Sequence, residues 1–228
     1  INMKKILTLL FALMLTHGVK AQNDVTTFLG IPVDGFKTEM IKKLKAKGFI
    51  PVPGEDCLKG EFNGTNVLVY IITNNNKVYR IMLCDEISQD EGNIKIRFNK
   101  LVSQFENNKR YTTLDNYTLS DEEDISYEMT VNNKNYDAVF YQNPIKEKMD
   151  STAIRNEVQE ELLSKYTKEQ LDNPTEDIKS DIQSTSINIF TKYLVKKPVW
   201  FRIIRDLVSY RIIMYYDNEY NHANGEDL

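Results

Sequence analysis

The sequence predicts one mixed α+β domain, in which an antiparallel sheet built from hairpins carries helices packed on one face. Three observations predict this class. Apolar stripes with helical spacing alternate with groups of short strand-like segments, in the order α-βββ-α-ββ-αα-ββ. Each hairpin follows helical sequence, and the strict strand–helix–strand alternation of a parallel sheet is missing. No glycine-rich phosphate loop joins a strand to a helix.

A lead-in over residues 22–35 precedes the first predicted helix, and its residues 28–32 are expected to tuck against the core. The helix is predicted over residues 37–47, and Gly48 ends it in the way typical of helix C-termini. Its apolar residues share one face: Met40, Ile41 and Leu44.

Three strands joined by tight turns are predicted next, over residues 57–63, 67–73 and 78–84. Asn63-Gly64 is a strong hairpin signal, and the asparagines at 74–76 tolerate the left-handed backbone of a second turn. The middle strand is apolar on both faces, which is typical of a central strand covered on both sides. Alternation places three residues of the third strand on one face: Tyr79, Ile81 and Leu83.

A second helix is predicted over residues 93–107, because apolar residues recur there with helical spacing. The acidic run at 121–124 is expected to be a solvated loop. Residues 125–131 and 136–142 are then predicted to form a hairpin around the asparagine-rich turn at 132–135.

Two more helices and a last hairpin complete the predicted elements. The third helix covers residues 151–171, and Asn173-Pro174 ends it. The fourth helix runs from there to Lys197, although residues 183–188 contain few strong helix formers. The spacing indicates a loosely repeated helix-plus-hairpin module without any fixed-period identity. The last hairpin joins two strands, residues 199–205 and 209–216.

Residues 1–21 are predicted to be a cleavable signal peptide. Two lysines precede an apolar run over residues 6–15, and Val19 and Ala21 fit the small-residue positions of a cleavage site. The run is about half as long as the ~20 residues that a membrane-spanning helix needs. We therefore expect a mature chain that begins at Gln22 and is exported, to the periplasm or to the outside of the cell.

The mature chain is expected to hold a single α+β domain over residues 22–216 and a polar C-terminal tail over 217–228. Removal of the three lysines of the signal peptide changes the formal net charge from −4 to −7. Such an acidic domain has no electrostatic basis for binding nucleic acid. The mature chain contains no segment apolar for long enough to span a bilayer. The oligomeric state is left open.

The mature chain offers few groups for catalysis. His222 is its only histidine, and Cys57 and Cys84 are its only cysteines. We therefore name no catalytic residue and expect neither a metal site nor a cofactor. The oxygen-rich stretch over residues 217–227 lacks the glycine that an EF-hand loop needs. In a three-strand meander, the two cysteines would lie at opposite ends of the sheet, so no disulfide is expected between them.

Aromatic residues cluster around the last hairpin. Alternation assigns one face of its second strand to the core, namely Tyr210, Ile212, Met214 and Tyr216. Arg211, Ile213 and Tyr215 face the other way. Aromatic side chains are common anchors of protein and sugar contacts. The candidate binding residues are therefore Trp200, Tyr215 and Tyr220.

Three segments of the chain resemble exported proteins of Bacteroidetes to which no activity is assigned. The segments are FLGIPVDG at 28–35, GEFNG at 60–64, and YYDN at 215–218 with NGEDL at 224–228. The resemblance implies export and a bacterial host, and it implies no site residues. The predicted arrangement of helices and sheet also resembles the inhibitor proteins that bind β-lactamases and other small periplasmic binding modules, which is a likeness of fold alone.

The sequence favours an exported, non-enzymatic domain that binds an unknown protein or polymer ligand. The alternative is a secreted glycan hydrolase that uses paired carboxylates, because 33 acidic residues offer many pairs and nothing singles out two. The first interpretation predicts an open sheet face with exposed apolar and aromatic side chains. The second predicts a cleft that holds two carboxyl groups about 5–10 Å apart.

Overall fold

The strands form one small hairpin and one eight-stranded antiparallel sheet. The computed structural model describes residues 24–144 and 151–222. The hairpin consists of β1 and β2, Thr27–Phe28 and Ile31–Pro32. The strands of the main sheet are β3 (Ile50–Pro51), β4 (Leu58–Phe62), β5 (Thr65–Asn74), β6 (Lys77–Asp85), β7 (Tyr111–Thr112), β8 (Asp137–Gln142), β9 (Pro198–Asp206) and β10 (Ser209–Asp217). Their spatial order is β3-β4-β5-β6-β10-β9-β8-β7.

Six α-helices accompany these strands in the described ranges. They are α1 (Lys37–Lys45), α2 (Glu91–Glu106), α3 (Ile125–Val131), α4 (Ser151–Leu163), α5 (Lys168–Asp172) and α6 (Glu176–Leu194). A short 3-10 helix, Glu219–Asn221, follows β10. The predicted α+β class is confirmed. Among the described residues, no helix combines the length and the apolar character needed to cross a membrane.

The main sheet consists of two halves with the same order of elements. The first half is α1 followed by β3 to β6, and the second is α2 followed by β7 to β10. The last strand of each half, β6 and β10, pair antiparallel at the centre of the sheet, and the two-residue strands β3 and β7 form its edges. A repeated module is therefore present as topology, but its unit is a helix followed by four strands and not the predicted helix plus hairpin. The second half additionally carries α3 and the α4–α6 segment between its strands.

The core lies between helices α1 and α2 and one face of the sheet. The predicted apolar stripe of α2 is buried throughout: Ile94, Phe98, Leu101, Val102 and Phe105. Asp90 caps this helix by accepting a hydrogen bond from the backbone N–H of Asn93 at 2.9 Å. The core face predicted for the last strand is also confirmed, since all four of its residues are buried: Tyr210, Ile212, Met214 and Tyr216.

The N-terminal lead-in closes one end of this core, as predicted. The Phe28 ring is fully buried, with centroids 6.2 Å from Phe49, 5.4 Å from Phe62 and 4.9 Å from Tyr216. Asn218 holds the same segment in place, because its Nδ2 donates a hydrogen bond to a backbone carbonyl of the lead-in at 2.7 Å. The polar tail therefore begins later than residue 217, because Asp217 ends β10 and Asn218 is buried. Residues 223–228 lie outside the described residues.

Residues 125–131 form helix α3, so the predicted strand there is wrong. The Asp124 side chain accepts a hydrogen bond from the backbone N–H of Tyr127 at 2.8 Å and so starts a helix. Ile125 is fully buried, whereas Tyr127 and Val131 are exposed. The predicted hairpin partner of β8 is therefore missing, and β8 pairs with β7 and β9 instead. Two residues are too few for β7 to leave an alternation pattern in the sequence.

The predicted helix over 151–171 is two helices, α4 and α5. Thr167 interrupts it, because its side chain and that of Gln170 form a reciprocal capping box that starts α5. In contrast, α6 continues through residues 183–188 as predicted. Helices α4 and α6 pack against each other, and Glu157 accepts a hydrogen bond from the Tyr193 hydroxyl at 3.0 Å.

A β-bulge in β6 overturns the face predicted for Tyr79. The pairing of β5 with β6 shifts by one residue there, which leaves Tyr79 without a direct partner. Val78 consequently takes the core position beside Ile81 and Leu83. The Tyr79 ring instead packs edge-on against His222, with centroids 5.4 Å apart.

The two cysteines are free thiols, but they do not lie at opposite ends of the sheet. Cys84 pairs with Leu68, and Leu58, the residue after Cys57, pairs with Val69. Both cysteines therefore lie level with the same part of β5, one on each side of it. Two strand spacings separate them by about 10 Å, which is beyond the ~7 Å Cα reach of a disulfide. The predicted positions are wrong because β4 aligns with the end of β6 and not with its start.

Candidate binding surface

The face of the main sheet that points away from α1 and α2 is here called the open sheet face. Its side chains are half-buried, whereas those of the core face are fully buried. Strand β5 is therefore covered on one side only, contrary to the prediction. Apolar and aromatic residues share the open sheet face with charged ones, and they are Leu68, Tyr70, Ile72, Met82, Val139, Trp200, Ile204, Ile213 and Tyr215.

A stack of rings and guanidinium groups occupies the centre of this face. Trp200 of β9 and Tyr215 of β10 are cross-strand partners, with ring centroids 4.0 Å apart and planes inclined by 20°. The Arg80 guanidinium lies 4.8 Å from the Tyr215 centroid and 5.6 Å from that of Trp200. The Arg202 guanidinium lies 5.4 Å from the Trp200 centroid. We call these four residues the Trp200 cluster; stacking and cation–π attraction both stabilise it.

Two carboxylates hold the arginines of the Trp200 cluster in place. Asp217 accepts hydrogen bonds from Arg80 at 2.6 and 2.8 Å and from the indole N–H of Trp200 at 2.8 Å. Asp137 accepts two from Arg202, at 2.7 and 3.0 Å. Burial lowers the pKa of Arg80, but the hydrogen bond and charge of Asp217 outweigh it and raise that pKa overall. The cations and rings are thus fixed before any ligand arrives.

The sequence pointed to only part of this arrangement. The structure brings together the candidates Trp200 and Tyr215, whereas Tyr220 is exposed in the 3-10 helix and does not join their stack. Tyr220 lines a separate concavity beside the β5–β6 turn. Arg80 and Arg202, with their carboxylates, were missed. Their signal is a cross-strand pairing, which requires the strand register and is invisible in a linear pattern.

The carboxylates of this face do not form the free pair that a glycoside hydrolase needs. Both oxygens of Asp217 and both oxygens of Asp137 are engaged by N–H donors of an arginine. Neither side chain is therefore free to protonate a glycosidic oxygen or to activate water. Within residues 24–144 and 151–222, no group of three His, Cys, Asp or Glu side chains could hold a metal ion.

Comparison with known proteins adds nothing to this geometry. No protein-family model, no curated protein and no solved structure matches the chain.

Proposed function

We propose that the protein is an exported domain that binds a partner macromolecule, a protein or a polymer, through the open sheet face. The observation that carries the proposal is the Trp200 cluster, in which two stacked rings are held beside two fixed guanidinium groups. Tryptophan, tyrosine and arginine are the residues most enriched among binding hot spots. Their concentration on the face left free by α1 and α2 supports binding there.

The geometry of the arginines supports the same proposal. Arg80 and Arg202 bind their carboxylates through Nε and Nη2. Among the described residues, these bonds leave Nη1 of each arginine available to a carbonyl or hydroxyl oxygen of a partner. Because the side chains are already ordered, binding costs little additional conformational entropy. A rigid apolar centre with oriented donors at its edge is the usual form of an interface core.

The test is capture of the native partner by the immobilised mature chain, followed by identification of that partner and measurement of its Kd. Changing Trp200 or Tyr215 to Ala is expected to raise this Kd about 30-fold, as for a hot-spot residue worth about 2 kcal/mol. Tyr127→Ala is the matched control, because Tyr127 is an exposed aromatic residue on α3. Far-UV circular dichroism checks that each variant is folded. Equal affinity in the cluster variants and the control would reject this surface.

Export is the second part of the proposal, and it depends on residues 1–21. Mass spectrometry of the protein recovered from the periplasm or medium is expected to find Gln22 at the N-terminus, either free or cyclised. An Ala21→Leu variant serves as the control, because a large side chain at this position is expected to block cleavage. Exported wild-type protein that retains Met3 would contradict a cleavable signal.

A further inference from the structure

A concave site lies on the side of the sheet that carries α1 and α2, beside the β1–β2 hairpin. Its volume is about 390 Å³, within the 300–1,000 Å³ that is typical of small-molecule sites. The residues that line it come from both halves of the fold: Leu29, Glu61, Phe62, Asn63, Gln104, Phe105, Asn108, Tyr111 and Tyr216. We call it the Tyr216 cavity.

Aromatic rings fixed by the core form the walls of the Tyr216 cavity. Phe105 and Tyr111 meet edge to face with centroids 4.6 Å apart. Phe62 and Tyr216 are nearly perpendicular, with centroids 6.4 Å apart. Phe105 and Tyr216 are buried, so their rings cannot turn away without disturbing the core. The ring surface accessible to a ligand therefore belongs mainly to Phe62 and Tyr111, which are half-buried and packed against these fixed rings.

Side-chain amides form its polar edge. Asn63, in the β4–β5 turn, donates from Nδ2 to Oε1 of Gln104 on α2. Asn108 accepts from the backbone N–H of Arg110 through Oδ1 at 3.1 Å. Among the described residues, these bonds leave two amide donors available, Gln104 Nε2 and Asn108 Nδ2. Both amides are oriented by their existing bonds, which is what a specific hydrogen-bonding site requires.

Among the described residues that line the Tyr216 cavity, Glu61 is the only charged side chain. Burial raises the pKa of Tyr216 well above its usual value, so its hydroxyl is neutral. The charge of Arg110 opposes this rise, so one cation lies nearby, but Arg110 donates to Thr27 and is not among the described lining residues. A purely apolar ligand would leave the amide donors without partners, which is costly when water is displaced.

We propose that the Tyr216 cavity binds one or two neutral sugar rings of a glycan. The apolar face of a pyranose packs against aromatic rings, and its hydroxyl groups pair with amide donors and acceptors. Leu29 also lines the cavity, and its left-handed backbone conformation, φ +50°, is the one that the two-residue β1–β2 turn requires of both its residues. The site is separate from the open sheet face, so an experiment can refute either proposal without affecting the other.

The test is isothermal titration calorimetry of the mature protein with glucose, galactose, mannose, N-acetylglucosamine and the β-1,4-linked disaccharide of N-acetylglucosamine. At least one probe is expected to bind with a millimolar or lower Kd. Gln104→Met and Asn108→Ala are each expected to raise that Kd about five- to tenfold, because each removes one hydrogen bond. Gln159→Met is the matched control, since Gln159 is an exposed glutamine on α4.

Three results would overturn the proposal: no binding of any probe at about 10 mM, binding that neither Gln104→Met nor Asn108→Ala weakens, or binding abolished by Trp200→Ala. The last would place the sugar on the open sheet face. Sugar binding retained in Trp200→Ala and weakened in Gln104→Met supports the Tyr216 cavity. Thermal melting of each variant identifies any loss of binding that comes from unfolding.

Discussion

Replacing Asp85 with alanine is expected to lower the free energy of unfolding by about 3–5 kcal/mol. Asp85 is buried at the end of β6, where it accepts two hydrogen bonds from Arg97 of α2, at 2.5 and 2.6 Å. The Arg97 side chain is itself only 12% exposed. Removing the carboxylate leaves this guanidinium nearly buried without its counter-ion, which is why the cost is large. Urea denaturation followed by circular dichroism measures it.

An exposed ion pair on α1 provides the control for this experiment. The exposed side chain of Lys42 forms a salt bridge with Glu39 at 2.8 Å, and Lys42→Ala is expected to leave the urea midpoint of unfolding unchanged. The double variant Asp85→Ala/Arg97→Ala should lose less than the sum of the single changes, because no unpaired charge remains. If Asp85→Ala were as harmless as Lys42→Ala, this ion pair would not anchor α2 to the sheet.

Phe28→Ala is expected to lower the free energy of unfolding by about 3–5 kcal/mol. The ring is fully buried among three other aromatic rings at the end of the core. Its truncation removes apolar burial and leaves a cavity that rigid neighbours cannot fill. Thermal and urea unfolding of the variant measure the loss.

Phe36 gives the matched control for Phe28, because it lies eight positions further along the chain and is 63% exposed. Phe36→Ala is expected to change stability little. Similar stability losses in the two variants would mean that the N-terminal segment does not belong to the core. A large loss for Phe28 alone would establish this segment as part of the fold.

Local signals predicted the elements that are held by local interactions. The apolar stripe of α2 and the Asn63-Gly64 turn each occupy a few neighbouring residues, and both are observed. The strand prediction for residues 125–131 is wrong because their composition favours a strand, whereas the cap at Asp124 starts a helix there. The β-bulge at Tyr79 depends on pairing with β5 and has no signature of its own in the sequence.

The contacts of the candidate site also divide into local ones, which the sequence can predict, and long-range ones, which it cannot. Trp200 and Tyr215 belong to one hairpin, so their contact follows once the two-residue turn at Leu207-Val208 is known. The contact of Arg80 with Asp217 joins strands that are 137 positions apart in the sequence. That contact depends on the pairing of β6 with β10, which connects the two halves of the fold. Periodicity and turn chemistry carry no information about such a long-range choice of partner.

The central pairing of β6 with β10 also determines what an incomplete chain exposes. Until β10 has been made, the first half has β6 as a nine-residue edge strand with a row of unpaired backbone groups. Edges of this kind attract strands of other molecules, and two copies of the first half could pair there as β6 pairs with β10. Because β10 closes the sheet near the end of the described chain, protection from such misassembly comes last. A chain that stops before residue 209 would therefore be an aggregation-prone fragment and not a smaller functional domain.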